Sequence, residues 1–313
     1  SLGFILPSLH LYLTTPQNTP RRTHQMNELS TTTDNQTNAP PTLRPMNMSD
    51  LVKVVKIIHA HDEDDGEAAE KDYLDNGVEN QFVLELSDKI IGVTGYREVS
   101  GTDQTAWLTW TYLAEAYHDK GFGKLMVSDL LEKLRRLNAR KIFTKVSDYE
   151  DPDDGKIYER ALKTYQSLGF KEEVISYDFY DEGENQIIMG LPLRAEDSGF
   201  SDDEIKVAEE KPIIRFNGLY EIAETEGAYA FSWTVKDTKK LFGKRNFSEE
   251  DLIIGLKSVK NAGGRKTFLT FPSNLPLIHK PLQAAGFKYV GRLDNYYEQG
   301  VHEFHFTHDL NNL

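Results

Sequence analysis

Two glycines one residue apart, Gly121 and Gly123, separate an apolar, strand-like segment (residues 106–113) from an amphipathic, helix-like one (residues 122–137). This run, His118-Asp119-Lys120-Gly121-Phe122-Gly123-Lys124, restricts the fold more than any other part of the chain. A strand must hand over to a helix through a loop whose backbone can pass close to a ligand, because glycine presents no side chain there. The first amides of a helix have no partners within it, and its dipole favours an anion in front of them. A phosphate-bearing cofactor is the natural occupant.

At 313 residues the chain has room for about two domains. Hydrophobic residues make up 39%, enough to fill real cores, and the net charge is −14. That charge argues against nucleic acid as a partner, since such binding needs a basic footprint; it is compatible with a cationic or amine substrate. With no cysteine, disulfides, thiolate catalysis and cysteine-ligated metals are excluded. No metal is expected: His302 and His305, three apart, would face opposite sides of a strand. No apolar run reaches the ~20 residues of a membrane span, and the start of the chain lacks a basic leading region, so the expectation is a cytoplasmic protein with no membrane partner.

Residues 1–41 are rich in Thr, Asn, Gln and Pro from position 14 onward and read as a disordered leader. From residue 42 the pattern is that of an α+β domain extending to 195. It comprises a strand at 42–46, a helix opened by Ser49-Asp50, a helix or loop through the acidic patch 61–70, and strands at 81–86, 89–99 and 106–113. A helix at 122–137 follows, with Leu125, Met126, Leu130, Leu134 and Leu137 expected on one face, then a strand at 141–146. The domain closes with a helix at 157–168 ended by Gly169 and a hairpin of 170–180 with 186–193. Residues 196–211 read as an acidic linker and 212–313 as a second, smaller domain led by strands at 213–222 and 228–235.

The second domain echoes the first. Arg140-Lys141-Ile142-Phe143 has a counterpart in Arg265-Lys266-Thr267-Phe268, and Gly169-Phe170-Lys171 in Gly286-Phe287-Lys288. Gly183 lies 14 residues after Gly169 (183 − 169 = 14), as Gly300 does after Gly286 (300 − 286 = 14). Shared order and spacing favour a diverged duplication; two α+β domains using similar turns is the plainer alternative. Counting back from Arg265, the paired glycines become Asn246-Phe247-Ser248, so the second copy is expected to lack the phosphate loop and to be catalytically silent.

The stretch from Thr111 through Gly123 resembles the acetyl-CoA loop of the GNAT N-acetyltransferases, whose pattern is Arg/Gln-x-x-Gly-x-Gly/Ala after the fourth strand. Tyr165-Gln166-Ser167-Leu168-Gly169-Phe170 resembles the family's second signature, Tyr-x-x-Leu-Gly-Phe. The resemblance covers about residues 42–193 in element order as well as motifs; residues 212–313 resemble a degenerate, partial GNAT repeat. It implies an acetyl-CoA-dependent N-acetyltransferase that passes acetyl to the amine of a small molecule or peptide by direct attack in a ternary complex. Amides from His118 through Gly121, Phe122 and Gly123 to Lys124 would hold the pyrophosphate of acetyl-CoA. Lys120 and Lys124 would either add charge there or be a solvated helix start. Leu113 would offer its backbone to pantetheine, because the family splays its fourth and fifth strands. Tyr165 would be the general acid toward the leaving thiolate, or a tyrosine packed on its helix face.

The chain departs from the pattern at three points. His118 stands where Arg or Gln is usual, and Tyr158 stands where many members carry an Asn that contacts the cofactor. The fourth strand has no Asp or Glu, so the general base is open: a water chain, or a carboxylate from Asp148, Glu150 or Asp151. The acidic run 148–154 could recognise a cationic amine or be an exposed loop, and Trp110 could line an acceptor pocket. The alternative to an enzyme is a regulatory protein that binds acyl-CoA without turnover. A further possibility is that the second domain, through Tyr296, Tyr297, Phe304, His305 and Phe306, closes over the acceptor.

Overall fold

A computed structural model describes residues 40–150, 158–194, 213–223, 225–236, 248–275 and 278–312. The predicted linker 196–211 and almost all of the predicted leader lie outside these residues. The first half runs β1 (Thr42–Pro45), α1 (Leu51–His59), α2 (Glu63–Asn76), β2 (Gln81–Leu86), β3 (Lys89–Glu98), β4 (Thr105–Leu108), β5 (Tyr112–Leu113), α3 (Phe122–Arg136), β6 (Lys141–Ser147), α4 (Glu159–Ser167), β7 (Lys171–Asp181) and β8 (Glu184–Pro192). The second half runs β9 (Ile213–Glu221), β10 (Ala228–Lys236), α5 (Glu249–Asn261), β11 (Lys266–Pro272), α6 (His279–Ala284), β12 (Lys288–Glu298) and β13 (Val301–Asp309).

The acidic patch forms α2 because Asp62 caps it, accepting the amide of Asp65 at 3.0 Å, and three acidic residues occupy its first turn, where the dipole favours them. On α3 the buried face is Met126, Val127, Leu130, Leu131 and Leu134. Leu125 and Leu137, assigned to that face from their spacing, are 36% and 59% exposed. The stripe is rotated toward Val127 and Leu131, since a helix in contact with a sheet buries a face wider than one row of leucines.

The first sheet has the order β1-β2-β3-β4-β6-β8-β7, with β5 also on β3. Only β4 and β6 are parallel, and they share three pairs: Thr105 with Lys141, Ala106 with Ile142 and Trp107 with Phe143. Beyond these the strands part. The single strand expected over 106–113 is therefore two pieces, broken at Thr109, Trp110 and Thr111, and its second piece stays with β3 through Gly92–Leu113 and Val93–Tyr112. One core lies between the sheet and α3/α4 (Ile91, Met126, Leu130, Leu134, Ile142, Met189) and another between the sheet and α1/α2 (Val54, Ile58, Ala69, Tyr73, Val93).

The second sheet, in the order β12-β13-β11-β10-β9, has its own core around Phe231, Leu252, Leu256, Leu269 and Phe271. A smaller cluster joins the halves: Trp107, Phe143, Val174 and Ile188 pack with Leu293 and Tyr296.

Candidate active site

Where β4 and β6 separate, the sheet opens into a cleft between β5 and the later part of β6. The glycine loop leads from β5 into α3. Asp119 and Gly121 both adopt left-handed backbone, at φ 58° and 80°, and Gly121 is the helix N-cap. A Cβ built on Gly121 would meet nothing within 4 Å, and one on Gly123 would meet only a Leu113 methyl at 4.0 Å. The loop therefore faces open space, with the unpartnered first amides of α3 behind it. That is the shape a pyrophosphate needs. Phe122 packs inward against Tyr117, while Lys124 is exposed. Lys120 folds back, donating to the Ala116 carbonyl at 2.7 Å, beside the loop.

Tyr165 sits on α4, which approaches the cleft from the α3 side. It is 6% exposed. Burial pushes its phenol above the usual tyrosine range, and hydrogen bonds with Thr144 on β6 and Thr111 on the β5 side oppose that shift. The phenol oxygen thus lies between the two strands where they have parted. Thr111 is itself held by the Thr94 hydroxyl at 2.9 Å and donates to the Thr109 carbonyl at 2.8 Å.

Leu113 presents its carbonyl to the cleft, and two imidazoles meet it. His118 Nε2 is 2.8 Å away and His61 Nε2, from the turn between α1 and α2, is 2.7 Å away. A carbonyl can only accept, so both rings carry their proton on Nε2. The rings stack at 5.1 Å. His118 Nδ1 is then an acceptor, and Arg160 lies 3.2 Å from it. His118, where the resembled loop pattern has Arg or Gln, is a relay from Arg160 to the strand rather than an exposed side chain.

On the α2 side, the Tyr112 hydroxyl donates to Asp65. Burial, and then the Asp65 charge, push the Tyr112 phenol well upward. Tyr158, at the start of α4, is shifted upward by burial first and then by the charges of Asp65 and Asp62. Tyr112, Tyr158, Asp62 and Asp65 are therefore one neighbourhood. Trp110, a candidate for the acceptor pocket, donates its indole N–H to the buried Asp72 at 2.9 Å, and Arg97 pairs with the same carboxylate at 2.7 Å. Trp107 packs in the cluster between the halves.

Of the carboxylates proposed as base from the sequence, Asp148 holds the Asn185 amide and side chain at 2.7 Å each, and Glu150 is exposed. Asp151 lies outside the described residues, as does most of the acidic run. Asp65 was missed because its link to Tyr112 spans 47 residues and nothing local marks it out within an acidic helix. Among the described residues no group of His, Asp and Glu is arranged to hold a metal, and no helix is long and apolar enough to cross a membrane. The aromatic hairpin of the second half meets the first half through Tyr296. Tyr296 packs against Trp107 and Phe143, and Phe304 and Phe306 lie in the second core.

Residues 49–170 match the family model described as "Acetyltransferase (GNAT) family". Among solved structures, a GNAT-family protein from Desulfovibrio desulfuricans is 19% identical, covering 50% of this chain and 100% of its own, with a TM-score of 0.44. The ribosomal-protein-S18-alanine N-acetyltransferase from Escherichia coli is 22% identical, with coverage of 52% and 98% and a TM-score of 0.39. An aminoglycoside 6'-N-acetyltransferase complexed with coenzyme A is 13% identical, with coverage of 49% and 97% and a TM-score of 0.42. Among curated proteins, none matches this chain significantly in sequence.

Proposed function

We propose that the chain, whose residues 49–170 match the acetyltransferase (GNAT) family model, transfers an acetyl group from acetyl-CoA to the amine of a small molecule or peptide, by direct attack with both substrates bound. The observation that carries the reading is the parting of β4 from β6 above the glycine loop, with the Tyr165 phenol set between Thr111 and Thr144 in the gap.

The thioester supplies the acyl group, and this chain's residues supply placement and protons. The amides of Gly121, Phe122, Gly123 and Lys124 hold the pyrophosphate, the His118 amide being given to the Glu115 carbonyl at 3.0 Å, with Lys120 and Lys124 contributing charge nearby. The Leu113 carbonyl, on giving up His61 and His118, aligns an extended amide chain as an added strand would. Tyr158 lines the same end of α4. Tyr165, kept protonated by its burial, donates to the departing thiolate. On the opposite face, Asp65 accepts the proton of an ammonium acceptor, and its bond to Tyr112 fixes the carboxylate's orientation. Asp62 adds a second negative charge there, which suits a cationic amine.

The test is release of free thiol from acetyl-CoA over a panel of amines. The chain contains no cysteine, so a thiol reagent reads only the product. Release that depends on the amine and collapses in Tyr165→Phe supports the reading. The second reading, an acyl-CoA-binding regulator, draws on the two imidazoles that already occupy the Leu113 carbonyl. Tight CoA binding with no release on any amine would select it.

A further inference from the structure

The contacts between the halves come in matched pairs. Equivalent positions differ by 117 in the final helix and hairpin (286 − 169 = 117), by 125 at the Arg-Lys pair (265 − 140 = 125) and by 123 just before the strand that pairs with it (226 − 103 = 123). Arg140 Nη2 donates to the Tyr296 carbonyl at 3.1 Å, and Arg265 Nη2 donates to the Phe179 carbonyl at 3.0 Å. Lys141 Nζ reaches the Asp294 carbonyl at 2.6 Å, and Lys266 Nζ reaches the Tyr177 carbonyl at 2.6 Å. The Asp103 amide donates to Tyr297 at 2.6 Å, and the Glu226 amide to Tyr180 at 2.7 Å. Each is the other with the halves exchanged.

The hairpins repeat the same irregularities. Asp178 and Asn295 are both left-handed, at φ 51° and 52°, and each accepts the amide of a turn glycine, Gly183 or Gly300, at 2.9 Å. Val174 and Gly291, equivalent to one another, face each other: a Cβ on Gly291 would meet a Val174 methyl at 3.2 Å. A residue that meets its own equivalent marks a two-fold axis. Contacts in which i meets j and j meets i define an isologous interface.

The second half also keeps the parted strands. Its β10 and β11 are parallel over three pairs, Ala228–Lys266, Tyr229–Thr267 and Ala230–Phe268. There, however, the gap is filled. Trp233 donates its indole N–H to the Thr270 carbonyl at 2.9 Å and packs on Phe271 at 4.4 Å. The position of Tyr165 is taken by Leu282, buried at 1% exposure.

We propose that the second half is a diverged copy of the first, docked on it through a pseudo-two-fold, isologous surface, and that its cleft is sealed by Trp233. The chain thus contains within itself the pairing that two separate copies would make, and carries one acyl-CoA site. The surface also braces the site. Thr105 and Trp107, the first and last paired residues of β4 on β6, donate to the Tyr296 carbonyl and hydroxyl at 2.6 and 3.1 Å.

Two measurements on the full chain test this. In the first, Val174→Cys and Gly291→Cys are introduced together; with no native cysteine, mild oxidation should give one intrachain disulfide and a native mass of one chain. Failure to cross-link, or cross-linking between chains, overturns the docking. In the second, calorimetry with CoA on the unsubstituted chain should give one site per chain. Two sites would overturn the sealed second cleft. The stoichiometry arm rests on the acyl-CoA reading and the cross-linking arm does not, so absence of CoA binding with a normal cross-link would refute that reading and leave the docking standing.

Discussion

Tyr165→Phe separates chemistry from architecture more cleanly than any other substitution in this chain. It removes one oxygen and keeps the ring that packs on Phe170 at 5.4 Å. Thr111 retains its partners Thr94 and Thr109, so the loss falls mainly on the buried Thr144 hydroxyl. The stability cost of one such bond is about 1 kcal/mol, a shift of a few degrees in Tm for a domain of this size. The catalytic cost should be far larger. A positioned proton donor contributes about 10²–10⁴-fold, or roughly 3–5 kcal/mol of barrier. Thiol release at saturating acetyl-CoA should fall by that factor while the KM for acetyl-CoA stays within about threefold. The pH profile gives a second reading. Because burial raises the phenol above its usual range, wild-type kcat should stay level through neutral pH and decline only where the phenol finally ionises, above about pH 10. The variant should lack that decline. A variant rate within threefold of wild type, or an unchanged alkaline limb, would refute the assignment.

Asp65→Asn should lower kcat/KM by about 10²-fold, most sharply at low pH where the amine is protonated, and an acceptor supplied above its own pKa should restore much of the loss; thiol-release kinetics against pH read both. His61→Ala removes one of two donors from the Leu113 carbonyl and should lower the KM for acetyl-CoA by up to about fivefold, the equivalent of one hydrogen bond of ~1 kcal/mol. Asp72 is buried, which alone would raise its pKa, but Arg97, Trp110 and Asn76 outweigh burial and hold it below the usual carboxylate range. A depressed carboxylate stabilises the fold above its unfolded pKa of about 3.9 and loses that contribution as pH falls below it. Asp72→Asn should therefore cost about 2 kcal/mol near neutrality and flatten the acid limb of a urea-melt series.

Patterns that are local in the chain were legible in its sequence. The glycine loop, the amphipathic helix behind it and Tyr-x-x-Leu-Gly-Phe each announce themselves within a dozen residues, and the paired Arg-Lys and Gly-Phe-Lys positions exposed the echo between the halves. Three features were not legible. The break at Thr109-Trp110-Thr111 leaves no mark, because those residues are as strand-favouring as their neighbours and only the choice of partner, β6 or β3, decides where the strand ends. Asp65 and His61 lie in an acidic, polar stretch and gain meaning only by meeting Tyr112 and Leu113, 47 and 52 residues away. Arg140 and Lys141, a charged pair in the sequence, are 1% and 2% exposed, because the second half supplies carbonyls to receive them.

The parted strands have a consequence that extends past catalysis. A sheet that opens strips ladder partners from the backbone groups along both edges, and buried groups of that kind must be satisfied somehow. This chain meets the same vacancy twice and answers it in two ways. In the second half an indole N–H takes the Thr270 carbonyl and the Phe271 ring packs against it. In the first half two imidazoles take the Leu113 carbonyl; they are carried on a turn and a loop, so they can yield to a better donor without disturbing either core. An opening in a sheet becomes a receptor when what stops it up is polar and carried on loops, and becomes scaffold when the stopper is aromatic and anchored in a strand.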